Sequence, residues 1–116
     1  MQPDAADFLK AAKDLGFAVK LDTNGCYPAR LAEILKRGLV DYVAMDIKNS
    51  PARYGQTAGV PAMTLDAIEE SIRYLLAGNV DYEFRTTVVA QLHSEESIEA
   101  MGKWLLDTAG KLYDMV

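Results

Sequence analysis

The sequence predicts an α/β fold: a fragment of a partial (β/α) barrel, TIM-like, with three to four parallel strands and helices on one face. Helical and strand patterns alternate along all 116 residues, which is typical of a parallel sheet with right-handed crossovers. Each predicted strand has one apolar and one charged side, whereas strands covered on both faces are nearly continuously apolar. The pattern therefore favours a barrel wall over a doubly wound open sheet. We expect residues 1–116 to form a single domain.

The first half of the chain predicts two helices and two strands. Apolar residues at helical spacing follow Pro3, and Gly16 ends this helix. A short strand at 17–22 comes next, a second helix begins at Pro28, and a second strand covers 39–48. The apolar positions of the first helix are Phe8, Leu9, Ala12 and Leu15.

The second half continues the alternation. Thr64 is a candidate N-cap for a third helix, and the third strand is predicted at 82–91. Ser94 is a candidate N-cap for a fourth helix, whose first turn carries acidic residues that the helix dipole favours. An apolar segment at 112–116 predicts the start of a fourth strand. The long connection at 49–63 contains a predicted short helix, and its pattern leaves open whether it is a lid or a plain excursion.

The alternation within the strands places six ionisable side chains on one face of the sheet. They are Lys20, Asp22, Asp46, Lys48, Glu83 and Arg85. The opposite, helix-facing side carries Phe17, Val19, Leu21, Val43, Met45, Ile47, Phe84, Thr86 and Val88. Because buried isolated charges are costly, the six groups must either pair with one another or bind a polar ligand. The ligand hypothesis is favoured because ligands of α/β proteins bind at the carboxyl ends of strands.

Composition and charge exclude several classes of protein. Half of the residues are apolar and 25% are charged, which is typical of a globular domain. The net charge is −5 and no basic run occurs, so a nucleic-acid partner is not expected. The longest apolar run, Tyr42–Met45, is too short to span a bilayer, and the first residues do not resemble a signal peptide. We therefore expect no membrane association and a cytoplasmic location.

Cysteine and histidine are scarce. The chain has one cysteine, Cys26, and one histidine, His93. A structural zinc site or an iron–sulfur cluster needs about four such ligands, so neither is expected on this chain. Cys26 is expected to be an inert residue after a turn. His93 is either a loop residue beside a helix cap or a residue that reaches a ligand.

Lys48 allows two kinds of chemistry. With Asp46 two residues earlier on the same face, it forms either a local ion pair or a pair of charges aimed at a zwitterion. A lysine desolvated at the end of a barrel strand can instead form a Schiff base, as in class I aldolases. The neighbouring carboxylate of Asp46 argues against this because it keeps the ammonium charged.

Three segments taken together resemble the radical S-adenosylmethionine family: VKLDTNG at 19–25, GLVDYVAMDIK at 38–48 and DYEFRTTVV at 81–89. Within the family, the similarity is to glycyl-radical activases of anaerobic ribonucleoside-triphosphate reductase, and it extends from about Gln2 to His93. The resemblance implies a partial (β/α) barrel that holds a [4Fe–4S] cluster and S-adenosylmethionine. The cluster cleaves this cofactor to a 5′-deoxyadenosyl radical, which abstracts hydrogen from a glycine of a partner enzyme.

The resemblance also implies a set of cofactor-binding residues. Asp46 and Lys48 match the family's Asp-x-Lys pair near the methionine end of the cofactor. Asp22 and Thr23 match an Asp-Thr pair at a nearby strand end, and Arg85 matches a strand arginine that faces the cofactor. The full predicted set is Asp22, Thr23, Asn24, Asp46, Lys48 and Arg85, with no catalytic residue among them. In related activases the two aspartates help to hold a monovalent cation, which implies a possible cation site at Asp22 and Asp46.

The sequence departs from the family in one region. It lacks the three closely spaced cysteines and the Gly-Gly-Glu stretch, and Gln2–Asp4 looks like the segment that follows that stretch. We therefore expect a C-terminal fragment that supplies part of the cofactor-binding wall, carries no cluster and is inactive alone. The alternatives are a non-catalytic half barrel that associates with itself through its open sheet edges, and a Schiff-base lyase using Lys48. Open edges also predict a homo-oligomer.

Overall fold

The computed structural model describes residues 5–60, 63–78 and 80–114, which form a three-stranded sheet flanked by helices. The strands are β1 (Lys20–Thr23), β2 (Tyr42–Asp46) and β3 (Asp81–Arg85). The helices are α1 (Ala5–Asp14), α2 (Pro28–Lys36), α3 (Tyr54–Ala58, after a 3-10 turn at Pro51–Arg53), α4 (Asp66–Leu76) and α5 (Glu95–Asp114). The described helices include none with the length and apolar character that crossing a membrane requires.

The sheet is parallel and has the strand order β1-β2-β3. Ala44 of the central strand pairs with Asp22 on one side and with Glu83 on the other. Asp46 pairs with Arg85 at the end of β2. Because all three strands run in the same direction, their carboxyl ends lie together at one edge of the sheet.

The hydrophobic core lies on one face of this sheet. Val43, Met45 and Ile47 point into it and are almost fully buried, because alternate residues of a strand share a face. Buried residues of four helices contribute to the core: Leu31 and Ile34 of α2, Tyr54 of α3, Ile68, Ile72 and Leu75 of α4, and Met101 and Trp104 of α5. The predicted α/β class is therefore confirmed, and the open sheet with one helix-covered face is consistent with part of a barrel wall.

All three strands are shorter than the sequence pattern predicts: β1 covers 20–23 instead of 17–22, β2 covers 42–46 instead of 39–48, and β3 covers 81–85 instead of 82–91. Phe17, expected on the helix-facing side, is 64% exposed because β1 begins only at Lys20. It follows Gly16, which ends α1, so it belongs to the turn. Val88, also expected on the apolar side, is 60% exposed because β3 ends at Arg85 and the chain then turns.

The predicted fourth strand is wrong over residues 112–114, because α5 continues to Asp114; residues 115–116 lie outside the described residues. Met101, Trp104 and Thr108 are buried at intervals of three and four, so one face of α5 is buried as far as Thr108.

The two predicted helix caps have different outcomes. Ser94 caps α5 as expected: its Oγ accepts a hydrogen bond from the Ser97 amide at 3.1 Å. Ser97 Oγ in turn accepts from the Ser94 amide at 2.8 Å, so the two serines form a reciprocal cap. Thr64 does not cap α4, because Leu65 occupies the N-cap position and no side chain caps the helix.

The turn after β1 is held by contacts that leave no room for a side chain at Gly25. Thr23 Oγ1 accepts from the Gly25 amide at 3.1 Å, and Ser71 Oγ donates to the Gly25 carbonyl at 2.8 Å. Gly25 has a φ of +73°, and a Cβ there would overlap the end of the Met45 side chain. The turn is therefore fitted directly onto the core beneath the sheet edge.

We predict that Gly25→Ala lowers the free energy of unfolding by about 2–4 kcal/mol, from the left-handed backbone and the overlap with Met45. Gly38→Ala is the control, because Gly38 has a φ of +68° with nothing within 4 Å of the added carbon. It should cost only about 1–2 kcal/mol. Urea unfolding followed by circular dichroism measures both, and equal losses would contradict the proposed close packing at Gly25.

Candidate functional site

Charged side chains from all three strands meet on the face opposite the helices. Arg85 of β3 lies between two carboxylates: its Nη2 is 3.4 Å from Asp22 Oδ2 and its Nε is 3.5 Å from Asp46 Oδ1. Lys48 Nζ lies 3.8 Å from Asp46 Oδ2. The structure therefore brings together four of the six predicted cofactor-binding residues, at the carboxyl end of the sheet.

A second ion pair crosses the central strand at the other end of the face. Lys20 Nζ of β1 lies 3.7 Å from Glu83 Oε1 of β3, and 5.6 Å from the centre of the Tyr42 ring. Between the two crossing pairs is Ala44, which is fully buried although it lies on the open face. Its small side chain lets charges on β1 and β3 meet across β2. All six ionisable groups predicted for this face are thus arranged as ion pairs.

These ion pairs are loose and partly solvated. The Lys48 side chain is 44% exposed and the Arg85 side chain 39% exposed. Their distances of 3.4 to 3.8 Å exceed the 2.7 Å between Lys13 and Asp41, a pair that joins α1 to the start of β2. Exposed pairs of this kind contribute little to stability and can exchange partners. The site charges are consequently positioned by the sheet yet free to contact a ligand.

Arg85 is held in its charged form by its neighbours. Partial desolvation acts to lower the pKa of the guanidinium, but hydrogen bonding and charge from Asp22 and Asp46 outweigh it, so the pKa is raised. The site therefore offers a permanent cation between two carboxylates. Groups of both signs at this spacing suit a zwitterionic ligand.

A cleft of about 170 Å³ opens beside these charges, at the carboxyl ends of β2 and β3. Its polar lining consists of Asp46, Lys48, Thr57, Arg85, Thr87 and His93. A more apolar hollow of about 210 Å³ adjoins it across Lys48 and contains Cys26 and Tyr54. Complete sites for small molecules usually measure about 300–1,000 Å³, so the charged cleft has the size of part of such a site.

Thr23 and Asn24, the other two predicted residues, shape the turn after β1. Asn24 Oδ1 accepts from the Cys26 amide at 3.0 Å, and Thr23 Oγ1 accepts from the Gly25 amide. The side-chain oxygens of both residues therefore accept hydrogen bonds from backbone amides within the turn. They line a hollow of about 160 Å³ next to Asp22, which connects them to the charged cluster.

The described part of the chain contains no group of three or more His, Cys, Asp or Glu side chains arranged to hold a metal ion. Cys26 is a half-buried free thiol. The two aspartates proposed for a monovalent cation, Asp22 and Asp46, both contact Arg85, which occupies the position between them.

Sequence reasoning missed Asn49, which anchors the segment that forms the far wall of the cleft. Asn49 is fully buried, and its Nδ2 donates to the Leu92 carbonyl at 2.7 Å and to Thr57 Oγ1 at 3.0 Å. His93 is a loop residue beside the α5 cap, as one of the two interpretations held, and it also lines the cleft. The signal that the sequence offered for Asn49 was its place as a polar residue directly after the predicted second strand.

The chain is 35% identical over 111 residues to a protein of Methanocaldococcus jannaschii whose name, glycyl-radical enzyme activating enzyme, is provisional. The match covers 92% of this chain and 46% of the relative, so the chain spans about half the length of the curated relative it matches. No protein-family model matches the chain, and no solved structure does. A glycyl-radical activating enzyme is the class of protein that the three sequence segments resemble, so the two observations agree.

We predict that Ala44→Leu lowers the free energy of unfolding by about 1–3 kcal/mol, because Ala44 is fully buried and a larger side chain there must displace the side chains packed over it. Ala29→Leu, on the exposed side of α2, should change it by no more than about 0.5 kcal/mol. Urea unfolding decides the point. A variant at position 44 as stable as the control would show that the side chains over Ala44 leave room for a larger residue.

Proposed function

We propose that this chain is part of a radical S-adenosylmethionine activating enzyme and forms one wall of its cofactor site, as a single truncated barrel domain. The observation that carries the proposal is the convergence of Asp22, Asp46, Lys48 and Arg85 on the open face, beside a cleft at the strand ends. The similarity to an activating enzyme over nearly the whole chain supports the same class.

The charges present fit the methionine end of S-adenosylmethionine, which carries a carboxylate, an ammonium and a sulfonium. Lys48 and Arg85 would receive the carboxylate, since an ammonium and a guanidinium donate strong hydrogen bonds to such a group. Asp46 would receive the ammonium. Asp22 and Asp46 together would admit a monovalent cation if Arg85 turned towards the ligand. Thr23 and Asn24 would hold the turn that bounds this end of the site.

The iron–sulfur cluster of the family does not fit this chain. When bound in a complete enzyme, it supplies the electron that cleaves the cofactor, but one cysteine cannot provide its ligands. We therefore propose that the chain is inactive alone. We propose that its macromolecular partner is a glycyl-radical enzyme, specifically anaerobic ribonucleotide reductase. We also propose that the protein is cytoplasmic.

The Schiff-base alternative finds no support in the surroundings of Lys48. A nucleophilic lysine needs an apolar environment that favours the neutral amine. Lys48 is 44% exposed and its Nζ lies 3.8 Å from the Asp46 carboxylate, so its surroundings are not apolar.

We predict that the chain binds S-adenosylmethionine and that Lys48→Met weakens binding by about 10- to 100-fold, the effect of losing a hydrogen bond to a charged group. Lys10→Met is the matched control, because Lys10 is an exposed lysine on α1 paired only with Asp14 among the interactions described. Isothermal titration calorimetry gives both affinities. No binding by the unaltered chain, or equal affinity in both variants, would refute the proposal.

We further propose that the open edge of β1 is covered by a second copy of the chain. β1 is an edge strand, and edge strands present unpaired backbone groups. Before β1 in the chain, Phe8 and Leu15 are 74% and 77% exposed, and they lie two helical turns apart along α1 and its end. Two copies related by a two-fold axis would place Phe8 of each near Leu15 of the other.

We predict that the chain forms a dimer in sedimentation equilibrium and that the double variant Phe8→Ser with Leu15→Ser is a monomer. Leu106→Ser removes an equally exposed leucine, 74% accessible on α5, and should leave the dimer intact. The proposal fails if the unaltered chain remains a single species of 12.7 kDa at every concentration tested.

A further inference from the structure

Three consecutive residues at the end of β2 hold the segment that follows β3. The Ile47 carbonyl accepts from Thr86 Oγ1 at 2.7 Å, and Asn49 Nδ2 donates to the Leu92 carbonyl at 2.7 Å. Between them, the Lys48 carbonyl lies 2.8 Å from His93 Nε2. The segment at 86–93, which forms the far wall of the charged cleft, is therefore fixed directly to residues 47–49, which follow β2 and include Lys48.

The bonds of His93 define the state of its ring. Because the Lys48 carbonyl can only accept, Nε2 must carry the proton. The other nitrogen, Nδ1, lies 3.1 Å from the Val89 amide and 3.2 Å from the Val89 carbonyl. In a neutral ring whose Nε2 carries the proton, Nδ1 has no hydrogen to donate, so it accepts from the Val89 amide. The residue is 8% exposed, and both of its nitrogens are engaged with the main chain. The ring therefore acts as a fixed bridge and is not free to bind a metal or move a proton.

We propose that His93 is a positioning residue for the cofactor site, an inference that rests on the proposed function. Its ring joins the backbone of Lys48 to the turn at Val89, and so it sets both the direction of the lysine side chain and the width of the cleft. An apolar residue of similar size would fill the same space without these bonds. Glutamine can restore the bond to the Lys48 carbonyl, since its amide nitrogen reaches about as far as Nε2.

The bridge itself is tested without any ligand. In ¹⁵N-labelled protein, the ring nitrogens of His93 should report the tautomer protonated at Nε2. The amide of Val89 should exchange with solvent about tenfold faster in His93→Leu, the effect of one lost hydrogen bond. Thr108→Val is the control, because it removes a buried hydrogen bond within α5, from Thr108 Oγ1 to the Trp104 carbonyl at 2.9 Å. It should leave exchange at Val89 unchanged. A ring protonated at Nδ1, or exchange at Val89 that His93→Leu does not alter, would overturn the proposal.

The positioning role is tested by the affinity for S-adenosylmethionine. His93→Leu should weaken binding about tenfold, His93→Gln should regain most of the loss, and Thr108→Val should bind like the unaltered chain. A merely structural role predicts instead that affinity follows stability, so that His93→Gln gives no rescue or Thr108→Val loses affinity as well. Either result would overturn the positioning role. Absence of binding by the unaltered chain would refute the proposed function, while the exchange measurement would still decide whether the bridge exists.

Discussion

Charge compensation across the central strand is the constraint on which the open face depends. Isolated charges cannot lie on a sheet surface unless water, a partner or a ligand meets them. Here Lys20 meets Glu83, and Arg85 meets Asp22, over the small side chain of Ala44. Each pair joins the two edge strands, so neither pair would form without β2 between them. The same arrangement leaves the charges near the strand ends partly exposed, so that they can contact a ligand.

The carboxyl end of β2 is the second organising element, because it belongs at once to the core, the site and the cleft wall. Ile47 points into the core, Asp46 and Lys48 lie on the open face, and Asn49 is buried against the segment that follows β3. The alternation of a strand makes this division possible, since neighbouring residues face opposite sides. A small number of residues therefore links the stability of the fold to the shape of the site.

The sequence was sufficient to predict features that depend on local periodicity. The faces of β2 and the convergence of Asp22, Asp46 and Arg85 followed from alternation together with parallel pairing. Features that depend on chain direction at the ends of elements were less predictable. Phe17 and Val88 continue the apolar alternation in the sequence, but the chain turns at both positions and exposes their side chains to solvent.

Contacts between residues far apart in the chain could not be predicted at all. The bonds from His93 to Lys48 and from Asn49 to Leu92 span more than forty positions, and no local pattern encodes them. The cap at Ser94, at the start of α5, was predictable because both partners of its hydrogen bond lie within one helical turn. Residues 112–114 were misjudged because a short apolar segment fits a strand and a helix equally well.

The most direct test of the account is a map of amide chemical-shift changes in the labelled chain during titration with S-adenosylmethionine. We predict that the largest changes fall at 46–48 and 85–89, with smaller ones at Asp22 and His93. The core side of α4 should stay unchanged. Changes centred on the shallow groove between the 3-10 turn and α5, where Trp104 and Lys103 lie, would contradict the central claim that the strand ends form the ligand site.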